Sequence, residues 1–203
     1  TAVHTTTAIN GALIQTSMPA FIVLLSRLMY RESVTGRQMS GVILCLLGAG
    51  LIVLRGDPSC LLDLAFVKGD LLMAVAVLLY SLYSTWLRRR PPIHGLSFLT
   101  ATFALGAGCL LPAYLVERAI IGPFALGREI VLSLFYVALF PSIVAYFCWN
   151  KGVDLVGPNR AGLFINLIPL FASLLSVWLL GESVRMFHVG GMGLIAGGMA
   201  VFY

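Results

Sequence analysis

Residues 1–53 and 151–203 of this chain are one segment written twice, at a constant offset of 150 and without a gap. Leu13, Pro19, Phe21, Leu24, Leu25 and Ser26 return as Leu163, Pro169, Phe171, Leu174, Leu175 and Ser176. The run Glu32, Ser33, Val34 returns as Glu182, Ser183, Val184, and Gly41 and Gly48 return as Gly191 and Gly198. A match at a fixed period marks a duplicated structural unit, so the fold of one copy constrains the fold of the other.

Composition says in which solvent that duplication works. Hydrophobic residues make up 60% of the 203-residue chain and charged residues only 10%, where a soluble domain carries about a quarter charged residues. With a mean hydropathy of +0.99 the chain belongs in a lipid bilayer, and internal duplication in a membrane protein is a recurring signature of carriers. The net charge of +5 does not point to nucleic acid, because the Lys and Arg residues stand between apolar runs rather than along one basic face. Cys45, Cys60, Cys109 and Cys148 show no CxxC spacing and no histidine in ligand register, so they read as small apolar residues. Neither a metal nor a cofactor is expected.

A helix needs about 20 apolar residues to cross a bilayer. Seven runs qualify or nearly do, at roughly 11–30, 38–54, 69–87, 96–116, 130–150, 160–180 and 187–203. The expected fold class is therefore all-α, a polytopic membrane helix bundle. Arg27, Arg31, Arg37, Arg88, Arg89, Arg90, Lys151 and Arg160 fall on one side of these crossings, against Arg55, Lys68, Arg118, Arg128 and Arg185 on the other. This bias places the Arg88–Arg90 loop in the cytoplasm.

The duplicated helices 11–30 and 160–180 are five crossings apart and must run in opposite directions, so the repeat is inverted. Three crossings precede the second copy and none precedes the first, and the chain starts at Thr1 rather than Met. The expectation is that about 85 further residues with three helices lie upstream, giving ten helices as two inverted five-helix repeats. Residues 1–54 would then close the first repeat, 55–68 form a periplasmic-side linker, and 69–203 form the second repeat.

Five stretches carry a family resemblance: His4 to Ala12 (HTTTAINGA), Pro19 to Glu32, Gly69 to Arg90 (GDLLMAVAVLLYSLYSTWLRRR), Pro141 to Asn150 (PSIVAYFCWN) and Gly157 to Glu182 (GPNRAGLFINLIPLFASLLSVWLLGE). Together they make the chain resemble the EamA family of the drug/metabolite transporter superfamily, ten-helix inner-membrane carriers of two inverted repeats. The resemblance runs from Thr1 to Tyr203 and implies export or exchange of small metabolites, amino acids and their derivatives prominent among them, and no enzymatic activity. One departure is Tyr30-Arg31-Glu32, where the second copy reads Leu180-Gly181-Glu182.

No helix centre carries Asp, Glu, Lys, Arg or His, so these crossings hold no buried titratable relay. There is no paired carboxylate, HExxH or Ser/His/Asp set at depth, which argues against catalysis. His4, His94 and His188 lie at the interfaces. Pro19 and Pro169 sit at equivalent places in oppositely directed helices and withhold a hydrogen bond from the carbonyls of Gln15 and Ile165. Thr16 and Asn166 stand three residues before them. Polar groups at bent helices across an inverted repeat suit a substrate site, and they equally suit the mere satisfaction of backbone groups at two kinks.

Ser142, Tyr146 and Asn150 at i, i+4 and i+8 beside Pro141 form a polar stripe, and Tyr80, Tyr83 and Ser84 form a patch on the preceding 69–87 helix. Both can line a cavity or hydrogen-bond between helices. Glu32 and Glu182, between helices, read as elbows or as gates pairing with Arg37 or Arg185. The GxxxG step Gly193/Gly197 and the small face of Gly41, Cys45 and Gly48 mark packing helices, joined to each other or across a homodimer.

The function these residues and the resemblance imply is an inner-membrane carrier, an exporter of amino acids or related compounds, working by alternating access. Its partners are the lipid bilayer and a small organic solute, with no nucleic acid. The candidate path is Thr16, Pro19, Tyr80, Tyr83, Ser142, Tyr146, Asn150, Asn166 and Pro169. A nucleotide-sugar or sugar-phosphate exchanger of the same superfamily would call for a cation in the cavity; none is seen at depth, though Arg160 at a helix start could serve. A seven-helix receptor would not need the duplication.

Overall fold

The computed structural model describes residues 8–57, 59, 67–122, 127–180, 183 and 185–203. Among them, six helical spans are long and apolar enough to cross a membrane, and Met186–Phe202 is a shorter apolar helix of 17 residues. His4, Cys60 and Glu182 fall outside the described residues. The chain divides into two compact units, residues 1–88 with 156–203, and residues 89–155.

In the first unit both copies break their leading helix at the same place. Helix α1 (Ala8–Thr16) stops one residue before α2 (Met18–Tyr30), which carries Pro19 in its first turn. The hydroxyls of Thr16 and Ser17 donate to the carbonyls of Leu13 (2.8 Å) and Ile14 (2.6 Å). Offset by 150, a 3₁₀ turn over Phe164–Asn166 follows the short helix Pro158–Leu163 and leads into Leu167–Leu180 with Pro169 in its first turn. A proline is tolerated there because the missing N–H is one that a helix start leaves unused.

Helix α2 ends at Arg31 in the left-handed region, φ 54° and ψ 29°. That is the conformation a glycine adopts without penalty, and Gly181 is the residue at this point in the second copy. The departure noted in the sequence thus leaves the turn of the first copy in place and charges it with about 1 kcal/mol of strain. Helix α3 (Gly36–Val53) starts on a reciprocal cap, in which Thr35 Oγ1 accepts from the Gln38 N–H (3.2 Å) and Gln38 Oε1 from the Thr35 N–H (3.1 Å). Helix α4 (Lys68–Trp86) is capped by Asp70, whose buried carboxylate accepts from the Val67 N–H (2.9 Å) and from Asn10 Nδ2 (3.0 Å), tying α1 to α4.

The second unit contains α5 (Gly95–Ile121) and α6 (Arg128–Val137), then a π-helical segment (Ala138–Val144) and α7 (Ala145–Val156). Helices α8 (Pro158–Leu163), α9 (Leu167–Leu180) and α10 (Met186–Phe202) complete the chain in the first unit. Pro141 removes the N–H that would bond the Val137 carbonyl; Ser142 Oγ donates to that carbonyl instead, at 2.9 Å across five residues. The wider π turn makes room for this exchange. Most side chains of α5 and α6 are exposed, Leu105 at 72% and Phe135 at 67%, as expected of surface that meets lipid.

The core of the first unit sits where α3 packs against α10. A Cβ on Gly41 would lie 2.7 Å from the Gly198 carbonyl oxygen, and one on Gly48 would lie 2.7 Å from that of Gly191. Each contact joins a glycine to the counterpart of the other, and the early part of α3 meets the late part of α10. This is the self-complementary pattern of a two-fold axis, so the inverted repeat of the sequence is realised as an inverted contact. Val23, Val42, Cys45, Leu163 and Phe202 fill one side of it, and Ala49, Ile52 and Ile195 the other. Gly193 and Gly197, expected to mediate packing, lie on the opposite face of α10 with nothing within 4 Å of an added Cβ. The reason is angular: the packed face repeats at 191, 195, 198 and 202, and 193 and 197 are turned away from it.

Candidate functional site

The faces of two broken helices form the walls of a cavity in the first unit. From α1 come Ala12, Gln15 and Thr16; from the start of α9 and the turn before it come Ile165, Ile168, Pro169, Ala172 and Ser173. Each set follows i, i+3, i+4 spacing, the signature of one helix face. Ile52, Val53 and Arg55 close the cavity at the end of α3, and its volume is about 390 Å³. A second cavity of about 460 Å³ shares Ile52, Arg55, Ala172 and Ser173 and adds Ser183, Arg185, Phe187 and His188. Together they form one cleft of the size that holds a small organic molecule. Its inner part is mainly apolar and its mouth is basic.

The opposite ends of these helices are drawn together. Glu32, just after α2, forms an ion pair with Arg88 at the end of α4 and accepts from Asn159 Nδ2 of α8 at 3.1 Å. The Arg88 guanidinium also lies over the Tyr30 ring (5.3 Å), and the Tyr30 hydroxyl donates to the Thr85 carbonyl (3.1 Å). Glu32 therefore joins three elements at once. The partners expected for it are engaged elsewhere: Arg37 donates to the Val201 carbonyl at 2.7 Å, and Arg185 lines the cleft. Glu182, its counterpart, lies outside the described residues.

Of the expected path residues, Thr16 and Pro169 meet in the cleft. Pro19 and Asn166 do not line it, because both are fully buried behind the wall. The amide of Asn166 stands beside the buried Cys45 thiol and makes no closer hydrogen bond among the described residues. Tyr80 and Tyr83 are half-buried on α4 and stack obliquely, 5.9 Å between centroids, and neither is among the described residues that line the cleft. Ser142, Tyr146 and Asn150 belong to the second unit, where they are among the covered residues of an otherwise exposed helix. There Tyr146 meets Phe103 edge to face at 5.4 Å. Arg160, the cation proposed for an anionic solute, lies over the Tyr203 ring instead (5.1 Å).

Sequence reasoning missed Gln15, Arg55, Ser173, Arg185 and His188. Gln15 and Ser173 were legible as polar residues within apolar runs, the first next to Thr16 and the second one turn after Pro169. Arg55 was counted only for topology, and Arg185 for topology and as a pairing partner of the glutamates.

The profile of the EamA-like transporter family matches residues 1–54 and 67–203. The chain belongs to the EamA-like transporter family. It is a multi-pass integral membrane protein. Its relatives include the uncharacterized transporter YyaM of Bacillus subtilis, 27% identical over 192 residues, with 94% of this chain and 62% of that protein covered. The uncharacterized transporter YetK of the same organism is 28% identical, with 98% and 61% covered. The uncharacterized inner membrane transporter YicL of Salmonella typhimurium is 26% identical, with 88% and 58% covered. This EamA-like chain thus spans about six-tenths of the length of these relatives. A solved crystal structure matches 99% of it at a TM-score of 0.74 and 22% identity, covering 68% of that chain, which establishes a shared fold.

Proposed function

We propose that this protein is an inner-membrane carrier that moves a small organic solute, with export of amino acids or related compounds as its physiological direction. The solute occupies the cleft between the broken helices, and the two inverted halves alternate in opening it. The observation that carries the reading is that Thr16 and Pro169, taken from the two copies of the repeat, face one cavity. A site between inverted repeats, built from interrupted helices, is where a carrier holds its cargo. In support, the cleft is open at the Arg55 end while the Glu32, Arg88 and Asn159 contacts draw the other end together. The charge bias of the loops puts the drawn-together end in the cytoplasm.

The test is metabolite profiling of cells overexpressing the gene that encodes this chain, beside cells expressing Ala172→Phe. Ala172 lines both parts of the cleft and is exposed to it, so a phenyl ring there fills the path without crowding the core. A solute that accumulates outside wild-type cells and not outside the variant establishes export. No difference, with both proteins abundant and folded, refutes it.

A further inference from the structure

Arg55 holds an unusual backbone position. It has φ 53°, in the left-handed region, and is followed by Gly56 at φ 77°. The turn closes α3 with the Gly56 N–H bonded to the Leu51 carbonyl (3.0 Å) and the Arg55 N–H bonded to that of Ile52 (3.1 Å). Glycine is the residue that takes the first left-handed position of such a turn at no cost. A side chain with a Cβ carries strain of about 1 kcal/mol there, as Arg31 does at the end of α2, and strain of this kind recurs at ligand sites.

The turn also fixes where that side chain goes. Gly56 lies against Phe187, so close that a Cβ would come within 3.0 Å of it, which brings the end of α3 to the start of α10. Arg55 then lines both parts of the cleft, and Arg185 and His188 line the outer part with Ser173 and Ser183. His188 Nδ1 accepts from the Arg185 N–H at 3.0 Å, so in a neutral ring the proton sits on Nε2, which remains a donor. A guanidinium offers donors only. Ser173 already gives its hydrogen to the Pro169 carbonyl (2.8 Å).

No ion pair among the described residues holds Arg55 or Arg185: the pairs there are Arg88 with Glu32 and Arg90 with Asp154. Asp57, two residues from Arg55, is turned to Ser59, which gives it a hydroxyl (2.6 Å) and a backbone N–H (2.9 Å) and holds its carboxyl below the ordinary range. Two like charges share the mouth of a cleft whose inner walls are mainly apolar, which concentrates their field on whatever anion enters.

We infer that the mouth of the cleft is an oxyanion site, in which Arg55 and Arg185 hold a carboxylate or phosphate group of the transported solute. The planar forks of the two guanidiniums match either group, each in bidentate fashion. Ser183 and the His188 N–H complete the donor set, and the apolar part, from Ile52 to Ile168 and Pro169, takes the body of the solute. This assignment rests on the cleft being the transport site proposed above, and it names the chemical class that the site accepts.

The test is binding, which needs no transport. Purified protein in a neutral detergent is unfolded by heat in the presence of sodium acetate, sodium phosphate, or sodium chloride at matched ionic strength. A fourth arm adds phosphatidylglycerol. Acetate or phosphate at ten times its dissociation constant is expected to raise the midpoint by roughly 3 °C over chloride. Arg55→Gln and Arg185→Gln should each weaken that binding about tenfold or more, and Arg118→Gln, which removes the same charge from the end of α5, should not. The acetate and phosphate arms separate a carboxylated solute from a phosphorylated one. A midpoint raised by phosphatidylglycerol alone would make these arginines headgroup anchors and overturn the assignment. Equal shifts in wild type and both Gln variants, or no shift with either anion, would overturn it as well. Arginine-dependent binding without export would refute the carrier reading and leave the site, whereas export of uncharged solutes without anion binding would do the reverse.

Discussion

Cys45 and Ile195 occupy the same position in the two copies of the repeat, 150 residues apart, and they touch: the thiol of Cys45 donates to the carbonyl of Ile195 at 3.5 Å. A residue can meet its own counterpart only at the axis that relates the copies. Gly41, Gly48, Gly191 and Gly198 surround this point and let the two backbones approach. Gly191→Leu is therefore expected to cost about 3 kcal/mol or more by overpacking. Gly193→Leu, on the far face, should stay within about 0.5 kcal/mol. Thermal unfolding in detergent measures both, and equal losses would mean that the face of α10 is wrongly assigned. A loss of dimer with Gly193→Leu at unchanged stability would place the homodimer contact on that open face.

Arg31→Gly should stabilise the protein by about 0.5–1 kcal/mol, since it relieves a left-handed residue at the cost of some unfolded-chain freedom. Arg55→Gly should do the same while removing anion binding. A gain at the first position with a gain and a loss at the second would separate strain that is merely inherited from strain that is used.

Glu32→Gln removes the ion pair with Arg88 and weakens the bond from Asn159. Both ion-pair partners are substantially exposed, 49% and 30%, so the cost is expected at only about 0.5–1 kcal/mol and should shrink in high salt. A salt-independent loss of several kcal/mol would show that Glu32 acts as a buried strut instead.

Ser142→Ala leaves the Val137 carbonyl without the hydroxyl that replaced its N–H beside Pro141. A loss of about 1 kcal/mol is expected, restored by Ser142→Thr and also by Pro141→Ala, which returns the N–H. If Pro141→Ala in the Ser142→Ala background gives nothing back, the account of the π turn fails.

Asn166→Val should raise the unfolding midpoint, because it removes two buried amide atoms with no close hydrogen bond among the described residues beyond the weak contact with the Cys45 thiol, a penalty of about 1–3 kcal/mol. A fall instead would show that the amide is satisfied by something other than this chain.

The membrane class, the interruptions ahead of Pro19 and Pro169 and the inverted relation of the copies were legible from the sequence because each depends on spacing, and spacing survives folding. Thr16 and Pro169 were legible for the same reason, as polar and kinked places at equivalent points of the two copies. Pro19 and Asn166 share those places but not the exposure, since a repeat predicts position and not which copy faces the cavity. Ser142, Tyr146 and Asn150 were read as one stripe at helical spacing and are among the covered residues of their helix, but spacing does not say that they belong to the second unit rather than to the unit that holds the cleft. Arg55 went unread because its role depends on a left-handed turn pressed against Phe187, a contact between residues far apart in sequence. Gly193 and Gly197 matched a packing motif, but a helix with glycine on two faces does not say which one is used.

The two copies are alike in sequence and unlike in posture. Thr16 faces the cleft while Asn166 is sealed; Pro169 is partly open while Pro19 is enclosed. A two-fold axis between unlike halves makes each half a template for the other. If the halves traded postures, Asn166 would come to a wetted wall, and Thr16 would be shut away. The present shape thus carries its own mirror condition, and Thr16 and Asn166 are the pair of positions at which the two would be told apart.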